Sequence, residues 1–358
     1  MKRKIKVILE NYLKRLSDNQ SDKVSNAFTF IKSKLGSIYP GLSIVRPLIR
    51  LCDFIIVRGN GNRFIEFELS NICNARCVFC PYPDMLRTDK KFMHMNEQTL
   101  DRIVGSFQHF KGVLVSFTPT TGDTLLHPEW DKYIHSIIQL PQVGRATMFT
   151  NAIELDLEAI DRLIVLLRRD RKGKFSQLYL SLGGYSRDSY KNLYQVDRFE
   201  KVRGNIDALF KRLKLEKICL GVHFHIKLEK GVEPNTDLAM NIYNREKYPY
   251  VYVSHSVSYF SNDAYKRNAL IDYYSESSED HSRACAYLNK TRFAADGSIW
   301  ADGCVISEMP DDASLKLGNL DLGWETLEAK RNELVSNWEL NREIPQPCKG
   351  CTMYRPRK

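Results

Sequence analysis

Along this chain the spacing of apolar residues switches repeatedly between two and about 3.6, and the switching predicts the elements. Phe64-Ile65-Glu66-Phe67-Glu68-Leu69 alternates and reads as a strand. Asn96 can cap a helix whose apolar positions are Leu100, Ile103, Val104 and Phe107. Val113–Phe117 is nearly all apolar and reads as a second, buried strand. Ala146–Phe149, Gln177–Leu182, Lys217–Leu228 and Tyr250–Val257 follow as strands three to six. Between them, Leu157, Ile160, Leu163, Ile164 and Leu167, then Ile206, Leu209, Phe210 and Leu213, fall at helical spacing. Strand and helix in alternation predict an α/β fold with parallel strands. Polar or small residues recur where strands end: Asn71, Gly122 and Asp123, Thr150 and Asn151, Ser181, His225, Ser256. In a parallel β/α barrel those ends share one mouth, where chemistry is placed.

At the end of the first strand stands Asn71-Ile72-Cys73-Asn74-Ala75-Arg76-Cys77-Val78-Phe79-Cys80. A loop this short can wrap Cys73, Cys77 and Cys80 around one metal centre. Three thiolates on a 4Fe–4S cubane leave one iron without a protein ligand, open to a substrate or cofactor. Zinc is the competing reading, because it takes four ligands and His94 or His127 is near enough in sequence to be the fourth.

The spacing resembles the signature of the radical S-adenosylmethionine (SAM) superfamily. That resemblance implies a partial (β/α)6 barrel open on one side, with the cofactor's amino and carboxylate groups chelated by the open iron. It implies that Phe79 packs near the adenine. Relatives carry Gly-Gly-Glu after the second strand to receive the cofactor's ammonium; here Gly122 and Asp123 stand in that register. Thr150-Asn151 resembles the family's third-strand Thr-Asn-Gly, with Ala152 in place of the glycine. Ser181 falls where a fourth-strand residue bonds the cofactor's ribose or carboxylate. As isolated features these are also ordinary strand-end caps. His223 and His225 share one face of the fifth strand and can approach cofactor or substrate, or be satisfied interior histidines.

The C-terminal part carries a second group of thiols: Cys285, Cys304, Cys348 and Cys351. Arg292–Trp300 reads as a hairpin around Asp296-Gly297, and a helix with Leu327, Leu334 and Trp338 precedes the last pair. Four thiolates saturate either a zinc ion or a 4Fe–4S cluster. Placed after the radical motif, this resembles the shortened auxiliary-cluster module, the twitch form of the SPASM domain. The four-cysteine layout looks most like that of aminocyclitol dehydrogenases and less like that of molybdenum-cofactor cyclases. The two remaining cysteines, Cys52 and Cys219, sit in apolar sequence and are expected in the core.

Length and charge complete the division. The 358 residues suit about two domains. The expected parts are a basic helical extension over 1–60, the barrel over 61–275 and the auxiliary-cluster domain over 276–358. Residues 1–50 hold eleven Lys and Arg against three Asp and Glu, and so eight of the ten net positive charges. Ile5, Ile8, Leu9, Tyr12, Leu13 and Leu16 form one stripe there, flanked by Lys4, Lys6, Lys14 and Arg15. Such a helix packs on the main body, or lies on an anionic membrane or a partner. No arginine-rich, aromatic-interleaved stretch points to nucleic acid. No run spans a bilayer and none reads as a secretory signal, so a cytoplasmic home is expected, with thiols free or ligating rather than bridged.

The resemblance implies two 4Fe–4S clusters, SAM, and a flavodoxin- or ferredoxin-type reductant. It implies reductive cleavage of the cofactor to a 5′-deoxyadenosyl radical that takes hydrogen from a small hydroxylated substrate: a sugar, cyclitol or nucleotide-linked sugar. Oxidation of a carbinol, with the second cluster as electron acceptor, is the expected outcome. Lys266 and Arg267, after the sixth strand, can hold that substrate, or form a surface basic pair. A peptide- or protein-modifying maturase, a sugar epimerase or a dehydratase is the alternative, and a non-catalytic iron–sulfur or zinc protein is the third reading. An epimerase needs a hydrogen donor, and Cys219 is the spare thiol expected inside the barrel.

Overall fold

The computed structural model describes residues 64–356 apart from 111, 119, 260–267, 275–280, 302–303, 305–312 and 353. The expected basic helix, Cys52, Lys266 and Arg267 lie outside the described residues.

The first half alternates as its pattern predicts. Strand β1 (Phe64–Phe67) leads through the cysteine loop to a short helix, α1 (Tyr82–Met85), and then α2 (Glu97–Ser106). Strand β2 (Val113–Phe117), helix α3 (Trp130–Gln139), β3 (Val143–Thr150) and α4 (Leu157–Arg169) follow. Next come β4 (Phe175–Gly183), α5 (Arg187–Tyr194), α6 (Phe199–Leu215), β5 (Gly221–Lys227), α7 (Thr236–Tyr243) and β6 (Val251–Ser256). Helix starts are set by side chains that accept an otherwise unpaired amide: Asn96 from Thr99, Asp156 from Ala159, Ser186 from Ser189.

Strands β1 to β6 pair in parallel in chain order, and the order is linear rather than closed. The sheet is a partial barrel. Its outer face is the core: Leu178, Leu180 and Leu182 of β4 and Val222, Phe224 and Ile226 of β5 are fully buried. They lie in one apolar cluster with Val202, Ile206, Leu209 and Phe210 of α6. The inner face alternates with these residues and is polar. His223, His225 and Lys227 on β5 are only half-buried. Helices cover one side of these strands only, so the pattern has period two where a doubly covered parallel sheet would be apolar throughout.

Past β6 lie a two-stranded pair, β7 (Ser258–Tyr259) and β8 (Asp272–Tyr273), then β9 (Thr291–Phe293), β10 (Ser298–Trp300), β11 (Lys316–Asn319) and α8 (Trp324–Asn341). The expected Asp-Gly hairpin is β9–β10. It is not detached: β9 pairs in parallel with β1, so the sheet runs β11-β10-β9-β1-β2-β3-β4-β5-β6. Two ion pairs fasten that seam, Lys290 to Glu66 at 3.0 Å and Arg292 to Glu68 at 3.6 Å. Among the described residues no helix is long and apolar enough to cross a membrane.

Candidate active site

The cysteine loop is held from four sides. The end of α5 supplies two carbonyls: Leu193 accepts from the Val78 amide at 2.9 Å, and Tyr194 from the Arg76 amide at 3.0 Å. Just past the third thiol, the Tyr82 hydroxyl accepts from the Cys73 amide at 2.9 Å. From the end of β2, the Asp123 amide donates to Ile72 at 2.8 Å. From the end of β3, the Asn151 side-chain amide donates to Asn74 Oδ1 at 2.8 Å and approaches Cys73 Sγ at 3.9 Å. Gly122 makes the β2 contact possible. Its φ is +109°, and a Cβ there would stand 2.4 Å from the Ser70 carbonyl oxygen.

Asp123 is buried and fully engaged. Its carboxylate accepts from the Leu125 amide, the Thr150 hydroxyl and the Asn151 amide, at 3.0, 3.0 and 2.7 Å. Burial nevertheless pushes its pKa up, to about 6. The acid thus ties the ends of β2 and β3 together beneath Cys73. Ser181, on the inner face of β4, accepts from the Tyr194 hydroxyl at 2.9 Å. Phe79 stacks on Tyr259 with centroids 5.2 Å apart and meets Tyr194 edge-on at 5.6 Å.

Burial pushes the Cys73 thiol up to about 11, with the Asp123 charge adding to it. Burial pushes Cys77 up as well, and the charges of Cys80 and Cys73 raise it further, while Lys227 opposes them. Three thiols that repel one another when ionised are a site for a cation. A metal makes them thiolates by displacing their protons. One buried group points the same way. The Tyr190 hydroxyl has no hydrogen-bond partner among the described residues, and the strongest charge acting on it is that of Cys77. The residues therefore fit a three-thiolate cluster. Among the described residues no three His, Cys, Asp or Glu side chains converge on one metal position as they stand. His127 does not supply a zinc ligand. Its Nε2 bonds the Met95 carbonyl at 2.8 Å and its Nδ1 accepts from the Glu129 amide at 3.0 Å. His94 Nδ1 lies 3.0 Å from the Ser70 hydroxyl.

The two fifth-strand histidines face inward. His223 Nε2 is 2.8 Å from Ser254 Oγ and His225 Nε2 is 2.6 Å from Ser256 Oγ. Burial, then the Lys227 charge, pushes His225 down to about 3, so its imidazole is neutral. Lys227 itself was not singled out by the sequence. Its Nζ lies over the rings of Phe79 and Tyr259, at 5.3 and 5.7 Å, and 3.5 Å from His225 Nε2. The available signal was its place as the last inward position of an alternating strand.

In the C-terminal part, Cys285 leads a 3-10 turn (Ala286–Asn289) and is buried, and Cys348 ends another (Gln346–Cys348). The Cys351 amide donates to Cys348 at 3.4 Å, and the Ala286 amide to Arg355 at 2.8 Å. These bonds lay the Cys285 segment beside the one carrying Cys351. Trp338, Tyr354, Leu288 and Val335 pack with Cys285 and Cys348. Cys304 is half-buried between stretches outside the described residues. The expected core position of Cys219 is corrected. It is exposed and lies before β5, because Lys217 takes φ 54° and the strand begins only at Gly221.

A partial β/α barrel with a three-thiol loop at its mouth defines a class, the radical SAM domain. The profile of the radical SAM superfamily matches residues 67–226, so this part of the chain is a radical SAM domain. Members of that superfamily are enzymes, and the domain implies a 4Fe–4S cluster and SAM. Among curated proteins, the chain is similar to GTP 3′,8-cyclase of Vibrio cholerae serotype O1, 23% identical over 150 residues covering 41% of each. It is also similar to that of Clostridium botulinum, 22% identical over 195 residues, 53% of this chain and 55% of the relative. The chain thus spans about half or less of those relatives. Among solved structures, anSMEcpe with bound AdoMet is similar at TM-score 0.52 and 13% identity, over 77% of this chain and 84% of that one. BtrN in complex with AdoMet and 2-DOIA is similar at TM-score 0.46 and 15% identity, over 81% and 92%.

Proposed function

We propose that this chain is a radical SAM oxidoreductase acting on a small hydroxylated ring: a sugar, a cyclitol or a nucleotide-linked sugar. The observation that carries the reading is the lining of the inner wall. Strands β3 to β6 contain no Asp or Glu. Phe149 and Tyr179 stack with centroids 4.2 Å apart, and His223 stacks on Tyr179 at 4.8 Å. Beside them stand the His223–Ser254 and His225–Ser256 pairs. Flat faces suit the C–H face of a ring, and hydroxyl and imidazole groups exchange hydrogen bonds with its hydroxyls. A substrate ammonium would find no carboxylate on these strands.

Bound at this mouth, the cluster and SAM would supply a 5′-deoxyadenosyl radical that takes hydrogen from an unactivated carbon. The chain's part is position and exclusion of water. Cys73, Cys77 and Cys80 would hold the cluster, Phe79 would offer its ring to the adenine, and Gly122, Asp123, Asn151 and Ser181 would shape the cofactor's seat. Neutral His225 orients a substrate hydroxyl, and Lys266 and Arg267 are proposed to hold the substrate's far end. Cys285, Cys304, Cys348 and Cys351 are proposed to hold a second 4Fe–4S cluster, a fit electron acceptor when a carbinol becomes a ketone. A flavodoxin- or ferredoxin-type protein would be the reductant, in a cytoplasmic setting that keeps the thiols reduced.

Peptide maturation, epimerisation and dehydration are the competing outcomes. An exposed Cys219 outside the barrel weakens the epimerase reading. The test is deuterium transfer. Ring-deuterated sugars, cyclitols and nucleotide-linked sugars, each incubated with reduced enzyme and SAM, are expected to label 5′-deoxyadenosine in at least one case, with a ketone as product. Label arriving only from a peptide, or a product at the same oxidation level, would overturn the proposal.

A further inference from the structure

Besides Arg76, whose guanidinium bonds the Cys73 and Ala75 carbonyls, a second cation, Lys227, stands beside the cysteine loop. Its Nζ lies 5.3 Å from the ring centre of Phe79, one of the two residues between Cys77 and Cys80, and 5.7 Å from that of Tyr259, which stacks on Phe79. Tyr259 is buried and fixed by its hydroxyl on the Leu228 carbonyl at 2.9 Å. The two rings hold the ammonium in place by their electron-rich faces. The other polar groups within reach are His225 Nε2 and Ser256 Oγ, at 3.5 and 3.4 Å, and both are neutral. Among the described residues no carboxylate pairs with Lys227, whereas most lysines of the barrel that point to an acid do so at the surface. A half-buried ammonium without an acid is costly unless another anion faces it. The groups that would face it with negative charge, once a metal has displaced their protons, are Cys77 and Cys80.

We propose that Lys227 is the charge-balancing residue of the Cys73–Cys77–Cys80 cluster, a positioning cation that favours its reduced, more negative state. The inference rests on the cluster reading of those three thiols. Three thiolates on an oxidised cubane leave one net negative charge, and reduction adds a second. A fixed positive charge at the loop stabilises the second more than the first, and so raises the potential at which the cluster accepts its electron. The aromatic contacts matter because a lysine without them would be drawn into water and its charge screened.

The experiment is a redox titration of the anaerobic full-length protein followed by electron paramagnetic resonance, with and without SAM. The relevant signal is the one lost in Cys77→Ala. Lys227→Met is expected to lower the midpoint without SAM, by a tenfold or larger loss in the equilibrium constant for reduction, about 59 mV for one electron. Lys227→Arg, which keeps the charge, is expected to stay near the parent. Equal iron content in all three proteins shows that the cluster is loaded. An unchanged midpoint in Lys227→Met would overturn the proposal. So would a change seen only with SAM together with weakened SAM binding, which would assign the ammonium to the cofactor's carboxylate. A parent protein with no Cys77-dependent signal would sink the cluster reading itself, and the proposal with it.

Discussion

Gly122 occupies a backbone conformation that side chains rarely adopt, with its α-carbon against the Ser70 and Asn71 backbone. No rotamer relieves a clash between a Cβ and a carbonyl oxygen, so the loops must part. Gly122→Ala is expected to shift the cysteine loop away from β2, at a cost of about 1–3 kcal/mol. The expected readout is a loss of most iron from the three-thiol site with the melting temperature only modestly lowered. Full iron loading in this variant would contradict the role assigned to the contact. At this scale the three loop thiols stood out in the sequence because their spacing carries meaning on its own, whereas Asn151 and Ser181, ordinary strand-end residues in isolation, stood out only through the family resemblance. The engagement of Asp123 did not stand out. A Gly-Asp pair is by itself a turn, the family resemblance makes it an acid facing the cofactor, and only the fold shows its oxygens engaged by Leu125, Thr150 and Asn151. Lys227 was illegible for a related reason: its meaning comes from Phe79 and Tyr259, far apart in sequence.

Among the elements, α5 does the most for the site and was absent from the sequence reading. Arg187–Tyr194 is short and mostly polar, and only Tyr190, Leu193 and Tyr194 are buried. Its value lies in carbonyls, which leave no trace in side-chain pattern. The six strands were legible because half of each is strongly apolar, although their ends shifted by up to several residues, as at β5. The start of β4 supplies a test of element stability. Lys174 is buried there and donates to the Leu140 carbonyl at 2.6 Å. Burial pushes its pKa down from the ordinary 10.5 to about 8. The folded chain therefore releases this proton near pH 8, and the unfolded chain only near 10.5. Between those values the unfolded state binds more protons, so stability is gained as pH rises. The gain is on the order of 3 kcal/mol. Denaturant unfolding across that window is expected to show it, and Lys174→Met to flatten it. Equal slopes in the two proteins would remove Lys174 as the cause.

At the scale of the whole molecule, the C-terminal hairpin joins the barrel by extending its sheet past β1. Pattern alone predicts a hairpin but not its partner, since strand pairing is a choice among edges. The buried Glu68 and Arg292 hold that choice, with the Glu68 carboxylate also accepting from the Ala295 amide at 3.2 Å. The seam brings the module with Cys285, Cys348 and Cys351 onto the same sheet as the loop with Cys73, Cys77 and Cys80. The central claim is that this last loop leaves a metal corner free for SAM. The measurement that tests it most directly is release of 5′-deoxyadenosine from anaerobically reconstituted, reduced protein given SAM. The account predicts steady release from the parent and none from Cys73→Ala. No release from a parent preparation holding roughly eight irons, the content of two 4Fe–4S clusters, would contradict it.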